Sequence, residues 1–257
     1  MNCTVIKIGG RLVEEASSLG HACDRLAALP PPFVVVHGGG VLADELCRSL
    51  ALPRRVIDGR RVTDAATLRV IVMAYAGWIN KSIVAALQQR GVNACGLSGC
   101  DERLVVSRRR AGTGVDWGHV GDVDRVDDRA LARFIARGIV PVLSPVTLGT
   151  DGGLLNTNAD SVAAAVAVAL SDRYAVDLLF CLDKRGVLAD PGDDSTLLPA
   201  LTRALHEEGK RRGTINAGML PKLENAFKAL EAGVRSARLL HPRDLGDDAA
   251  GTKILLS

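Results

Sequence analysis

The sequence predicts an α/β fold, a three-layer sandwich in which a central, mostly parallel sheet carries helices on both faces. Short β-branched runs alternate with longer segments of helical period, the order expected of parallel strands joined by crossover helices. The 257 residues are 47% hydrophobic but only 3% aromatic, so an ample core has to be assembled from Val, Leu, Ile and Ala. Two glycine clusters, Gly9-Gly10 and Gly38-Gly39-Gly40, each stand directly after a strand-like run.

In chain order, the β-branched runs predict strands over residues 3–8, 33–36, 93–97, 103–107, 139–143, 176–182 and 237–241. The 3.6-residue apolar period predicts helices over 11–29, 41–50, 64–90, 127–137, 159–170, 197–209 and 219–232. Glycine and turn residues over 112–122 and 149–155 break this rhythm and read as β-hairpins at the mouth of a site. Between the second hairpin and the helix from 159 lies Leu155-Asn156-Thr157-Asn158-Ala159-Asp160. There a strand runs into a helix start, Asn156 and Asn158 point one way, and Asp160 can orient cationic neighbours. Around Ser171-Asp172-Arg173 the long crossover units give way to a shorter carboxy-terminal third. Two lobes are expected, 1–172 and 173–257, with a loose loop over 190–195.

A net charge of +3 is mildly basic, yet the 32 Lys and Arg are spread along the chain and not interleaved with aromatics. This pattern excludes nucleic acid as the expected partner and leaves a small anionic ligand as sufficient reason for local positive charge. The amino terminus starts at once on a strand-like run, and the apolar run 162–170 is far too short to span a bilayer. A soluble, cytoplasmic protein without a membrane partner is expected. The six cysteines form no C-x-x-C pair, and the nearest two, Cys95 and Cys100, have no histidine at ligand spacing. Reduced thiols and no protein-held metal follow.

Glycines at a strand-to-helix turn let backbone N–H groups converge on an anion, and the helix dipole adds to the attraction. Two such clusters, with Lys7 inside the first strand, look like opposite walls of a phosphate-transfer site. A strand-interior lysine costs desolvation energy unless an anion pairs with it, so Lys7 needs a partner. No G-x-x-x-x-G-K-[ST] segment is present, which excludes a standard P-loop. Gly38 to Ala43 also fits a dinucleotide fingerprint with Asp58 twenty residues beyond, the pattern of an NAD(P)-dependent oxidoreductase. That rival leaves Lys7, Asn156 and Asp160 without a task.

Ile6-Lys7-Ile8-Gly9-Gly10, His37-Gly38-Gly39-Gly40, Gly59-Arg60-Arg61-Val62-Thr63-Asp64, Asn80-Lys81, the segment from Leu155 to Asp160, and Gly218-Met219-Leu220-Pro221-Lys222 occur in one order. In that order the chain resembles the amino acid kinases, and among them the acetylglutamate kinases, over nearly its whole length. The segments Val115 to Val123, Asp183 to Leu188 and Pro221 to Asn225 are similar to a divergent branch from bacteria of the Bacteroides type.

The resemblance implies the amino acid kinase fold and transfer of the ATP γ-phosphoryl group to the side-chain carboxylate of N-acetyl-L-glutamate, for arginine biosynthesis. Lys7 and Lys222 would neutralise the migrating and departing phosphates, with Asp160 between them holding both ammonium groups. Gly9, Gly10 and Gly39 would donate backbone N–H groups, and Gly39 and Gly40 would line the acceptor pocket. Arg61 and Asn156 would grip the acceptor's carboxylates, with Asn158 beside them. Asp183, Lys184, Gly186, Val187 and Leu188 would form the nucleotide loop in the carboxy-terminal lobe, closed by Thr214, Ile215 and Asn216. Magnesium would arrive on the ATP phosphates.

A carboxylate acceptor is already ionised at neutral pH, so no general base is needed. None of His21, His37, His119, His206 and His241 sits where one is demanded; His37 reads as a structural hydrogen-bonder. The resemblance further implies a homodimer formed by the amino-terminal lobe, without feedback by arginine. An N-succinylglutamate or aminoadipate-type acceptor is the alternative within the class. A succinyl tail brings a third carboxylate, for which Arg60, Lys81 and Arg108-Arg109-Arg110 are the candidate cations.

Overall fold

The computed structural model describes residues 1–57, 59–112, 114–190, 192–212 and 218–257. Strand β1 (Asn2–Ile8) passes through Gly9 into the short helix α1 (Gly10–Glu14), and α2 (Ala16–Ala27) follows. The single helix expected over 11–29 is therefore broken. Glu15 is extended, and its carboxylate accepts from the hydroxyls of Ser17 and Ser18, so it starts a new helix instead of continuing the old one. Next come β2 (Phe33–His37), α3 (Gly40–Ser49) and the antiparallel pair β3 (Val56–Ile57) and β4 (Arg60–Arg61).

Asp64 accepts from the Thr67 amide and so caps a helical run of 24 residues from Ala65 to Gln88. The run consists of α4 (Ala65–Ile71), a π-helical stretch Val72–Ile79, and α5 (Asn80–Gln88). By length and composition alone the run is apolar enough to cross a membrane. Its inner face, with Ile71, Ala74, Tyr75, Ile79, Ile83 and Leu87, is buried in the core, whereas Met73 and Trp78 stand exposed.

The middle of the chain supplies β5 (Ala94–Leu97), β6 (Val105–Arg109), β7 (Val120–Val126), α6 (Asp128–Ala136) and β8 (Val140–Leu143). It continues with β9 (Val146–Gly149), β10 (Leu154–Thr157), α7 (Ala159–Ser171) and β11 (Ala175–Cys181). The last elements are β12 (Ala200–Thr202), α8 (Arg203–Arg212), α9 (Leu220–Glu231), β13 (Ser236–Leu240) and β14 (Thr252–Leu255).

The main sheet runs β12-β14-β13-β11-β1-β2-β8-β5 and is parallel except where β13 meets β14. This is the predicted sandwich, with β1 at its centre between β11 and β2. Strands β6, β7, β9 and β10 close into a separate small barrel. The two expected hairpins are its β6–β7 and β9–β10 connections. The helix expected from 197 starts only at Arg203, because Ala200–Thr202 pairs with β14 as an edge strand.

Side chains alternate across a strand, and β1 shows what that does for the site. Ile6 and Ile8 join the core layer formed with Leu26, Ile71 and Ile83. Val5 joins the opposite layer, with Val162, Ala163, Val166, Leu223 and Phe227 of α7 and α9. Lys7 shares the face of Val5, so its ammonium is directed to the helices that carry Asp160 and Lys222.

Candidate functional site

The carboxyl ends of β1, β2 and β11 lie side by side, and each hands over to a loop on that edge: Gly9, Gly38 and Leu182-Asp183. In an open α/β sheet this edge is where ligands bind. Two cavities open there. One of about 580 Å³ is lined by Lys7, Gly9, Gly10, Leu182, Asp183, Lys184, Gly186, Val187, Leu188 and Lys222, among others. The other, about 290 Å³, is lined by Lys7, Gly10, Gly39, Gly40, Arg54, Arg60, Arg61, Asn156 and Asn158, among others. Lys7 and Gly10 belong to both, so the cavities meet at the first strand's end.

At that junction Lys7 Nζ lies 2.8 Å from Asp160 Oδ1, and Lys222 Nζ lies 3.2 Å from Asp160 Oδ2. One carboxylate thus holds two ammonium groups from opposite ends of the chain. Burial pushes the Asp160 carboxyl up, but Lys7 and Lys222 outweigh it and keep the group ionised, below its ordinary value. For Lys7, burial lowers the pKa more than Asp160 restores it, and Lys222 adds repulsion. An anion arriving between the lysines relieves both costs. Asn158 is the cap of α7, its Oδ1 accepting from the Ser161 amide, and this fixes Asp160 in the first helical turn.

The glycines are required by close approach. A Cβ on Gly10 would lie 2.9 Å from both Gly39 N and Gly40 N, and one on Gly38 would lie 3.0 Å from Gly10 N. The backbone nitrogens of Gly10, Gly39 and Gly40 therefore crowd one spot beside Lys7. This is the N–H concavity that suits a phosphoryl group. A Cβ on Gly39 would also meet Ile79 and Tyr75 at 2.5 and 2.6 Å.

Arg61 lines the smaller cavity, but it is also held by protein. Its Nη2 donates to Asp44 Oδ1 at 2.5 Å and to the Gly40 carbonyl at 3.3 Å, while Nη1 is buried without a hydrogen-bond partner. Asp44 also takes Arg54 at 2.7 Å. Burial pushes the Asp44 carboxyl up, and the two guanidinium groups bring it down further, so it is ionised. Asn156 donates to the Thr63 hydroxyl at 3.0 Å, which ties β10 to the end of the β3–β4 hairpin. Arg60 Nη1 is buried, 3.4 Å from Asp122 Oδ1, and makes no hydrogen bond.

Sequence reasoning missed Asp44, Asp122 and Tyr75. Asp44 stands four residues after Gly40, one helical turn along α3, and that spacing was its available signal. Asp122 and Tyr75 are brought in by the barrel and the π-helical stretch, for which the sequence carries no local signature.

Of the nucleotide-loop residues, Asp183, Lys184, Gly186, Val187 and Leu188 all line the larger cavity; Thr214, Ile215 and Asn216 lie outside the described residues. Lys184 pairs with Asp194 at 3.7 Å, an exposed contact. Asp58, the acid of the dinucleotide pattern, also lies outside the described residues. Its neighbours form the antiparallel pair β3–β4, whereas a dinucleotide site needs a parallel strand leading to that acid. The other cations considered for an acyl tail are engaged elsewhere: Lys81 with Asn80 and Gly96, Arg108 with Asp124, Arg109 with Asp151 and Arg110 with Asp122.

Among the described residues one group could gather ligand atoms around a metal, His206, Glu207 and Glu224, within 4.8 Å of one another. Glu224 there is already opposed by Arg203 at 3.7 Å and Lys210 at 3.9 Å, so the negative charge a cation would need is largely answered.

The profile of the amino acid kinase family matches residues 2–241. An acetylglutamate kinase of Bacteroides thetaiotaomicron is 45% identical, over 98% of this chain and 97% of its own. One from Bacteroides fragilis is 46% identical over 90% and 88%. The crystal structure of smu.665 from Streptococcus mutans UA159 superposes with a TM-score of 0.83 at 28% identity, covering 99% of both chains.

Proposed function

Since the chain belongs to the amino acid kinase family, we propose that it is an ATP-dependent kinase that phosphorylates the side-chain carboxylate of an N-acylated glutamate, N-acetyl-L-glutamate in the first reading, for arginine biosynthesis. The observation that carries this is the meeting of two cavities at Lys7 and Gly10, with Asp160 holding Lys7 and Lys222 there. The larger cavity is assigned to ATP and the smaller to the acceptor, which gives residues 173–257 the larger share of the nucleotide site and 1–172 that of the acceptor.

The acceptor carboxylate attacks the γ-phosphorus, a new O–P bond forms, and the bond to the β-phosphate oxygen breaks. ADP leaves with the electron pair. The attacking oxygen is an anion at neutral pH, so no proton has to be removed. Lys7 and Lys222 neutralise charge on the transferring group and the departing phosphate, and Gly10, Gly39 and Gly40 N–H groups receive its equatorial oxygens. Arg61, preset by Asp44, takes the carboxylate that does not react, with Asn156 and Asn158 lining the same pocket. Magnesium would be carried on the nucleotide phosphates and would supply neutralising charge there. Asp160 is committed to two lysines and is not assigned to the metal.

The second reading, an N-succinylglutamate or aminoadipate-type acceptor, is favoured by Arg60. Its Nη1 is buried at the acceptor cavity without a hydrogen bond, 3.4 Å from Asp122 Oδ1, a loose ion pair that leaves it donor capacity for a further carboxylate. We also propose a cytoplasmic homodimer. Met73 and Trp78 on the helix Ala65–Gln88 and Val41 on α3 are exposed apolar side chains, offered here as contacts for a second copy of this chain. Arginine feedback is proposed to be absent.

Purified protein with ATP, magnesium and either acceptor, followed by ADP release and hydroxylamine trapping, tests the reaction. Acyl hydroxamate from N-acetylglutamate is the expected product, from the succinyl compound on the second reading. ADP release without hydroxamate from any N-acyl-glutamate would remove the proposal.

A further inference from the structure

The pair Asn80-Lys81 has no task in this reaction, yet it ends a chain of hydrogen bonds that reaches the glycine loop. Lys81 Nζ donates to Asn80 Oδ1 at 3.1 Å and to the Gly96 carbonyl at 3.0 Å. An ammonium can only donate, so the oxygen of the Asn80 amide faces Lys81 and its nitrogen faces the other way. That nitrogen donates to the Val142 carbonyl at 2.9 Å and meets His37 Nε2 at 3.1 Å. An amide nitrogen cannot accept, so Nε2 is the bare nitrogen of the ring and the proton sits on Nδ1. His37 Nδ1 then donates to the Gly38 carbonyl at 2.8 Å. Every role in the chain follows by elimination.

The packing leaves the relay one arrangement. His37 and Asn80 are both buried. A Cβ on Gly96 would lie 2.0 Å from Asn80 Oδ1 and 2.7 Å from Lys81 Nζ, so the relay depends on glycine at that strand position.

In a trans peptide the carbonyl and the following N–H point in opposite directions. Holding the Gly38 carbonyl inward on His37 sends the Gly39 N–H outward. Gly39 N and Gly40 N are the atoms that crowd Gly10 at the meeting point of the two cavities. We infer that His37, locked by Asn80 and Lys81, is a positioning residue: it turns the Gly38–Gly39 peptide so that its N–H is aimed at the transferring phosphoryl group. This rests on the kinase reading for the identity of the group served, but not for the relay itself. Burial, together with the nearby charges of Lys7 and Lys81, lowers the His37 pKa to about 4 against the pull of the Gly38 carbonyl. The ring therefore stays neutral, and keeps the one proton the relay needs, throughout the neutral range.

Two measurements test it. Long-range ¹⁵N spectra of the full chain, with the signal assigned by its loss in His37→Asn, are expected to show a neutral ring protonated on Nδ1 and unchanged from about pH 8 to pH 6. A ring protonated on Nε2, or titrating in that range, overturns the proposal. In kinetics, His37→Asn keeps a donor for the Gly38 carbonyl and should retain kcat within about threefold, while His37→Leu, lacking it, should lose about 30-fold in kcat with both KM values nearly unchanged. Lys81→Met, at the solvent end of the relay, should lose about threefold in kcat alone. Equal losses in the Asn and Leu variants, or losses confined to KM, contradict positioning. The spectra need no substrate, so an acceptor that fails to react sinks the kinase reading and leaves this test standing.

Discussion

The two cavities that share Lys7 and Gly10 are built on different principles. The acceptor side is small and gathers Arg54, Arg60 and Arg61, with Asp44 pinning two of them and Asp122 facing the third. The nucleotide side is about twice as large and is walled by glycines and apolar residues, its cations Arg11 and Lys184 paired only with exposed acids. Guanidinium groups fixed in advance suit recognition of carboxylates, where charge and geometry select the ligand. Backbone and apolar walls suit a nucleotide, recognised chiefly by shape. On the proposed assignment, the contrast puts the chain's specificity in the acceptor side and gives the lysine pair at the junction chemistry common to both.

The largest break comes from the junction. Asp160→Asn removes the charge that holds Lys7 and Lys222, and is expected to lower kcat by about 10³-fold or more. It should also destabilise the fold by about 3 kcal/mol, since a buried lysine loses its partner. The acid limb of stability tests the same group. Its folded pKa lies below the ordinary carboxylate value, so the unfolded chain binds the proton first as pH falls. The stabilisation is present above the ordinary value and is lost as pH falls through the depressed one. Melting temperature should therefore fall less steeply with acid in Asp160→Asn than in the wild type.

Lys222→Ala should cost about 100-fold in kcat with nucleotide KM changed by less than about threefold, because its contact strengthens in the transition state. On the acceptor side, Arg61→Ala should raise acceptor KM by about 10-fold and leave the nucleotide KM alone. A loss confined to nucleotide binding would reverse the assignment of the two cavities. The sharpest discriminator is the smallest expected effect: Arg60→Leu should lower kcat/KM for an N-succinyl acceptor by about fivefold relative to the N-acetyl one. No change in that ratio removes the second reading.

Buried parallel strands announce themselves by β-branched runs, and β1, β2, β8, β11 and β13 were legible to within a residue or two at each end. Lys7, Asp160 and Lys222 were legible because a lysine inside an apolar strand demands an anion, and the family motifs named both. The barrel was not, since β9 and β10 are four residues each and close on one another through pairings that leave no periodic trace. For the same reason Asp122, delivered by β7 to face Arg60, could not be anticipated. Arg61, expected at the acceptor, lines the smaller cavity, but its restraint by Asp44 depends on how α3 packs over the β3–β4 hairpin, a tertiary contact at which the Gly40–Asp44 spacing only hints.

The most direct measurement is a crystal structure with a non-hydrolysable ATP analogue and an N-acyl-glutamate bound together. The triphosphate tail is expected between Lys7 and Lys222, the terminal phosphorus beside Gly10, and the acceptor's carboxylate facing it from the Arg61 side. A triphosphate lying in the arginine-lined cavity, or one touching only a single member of the lysine pair, would contradict this arrangement.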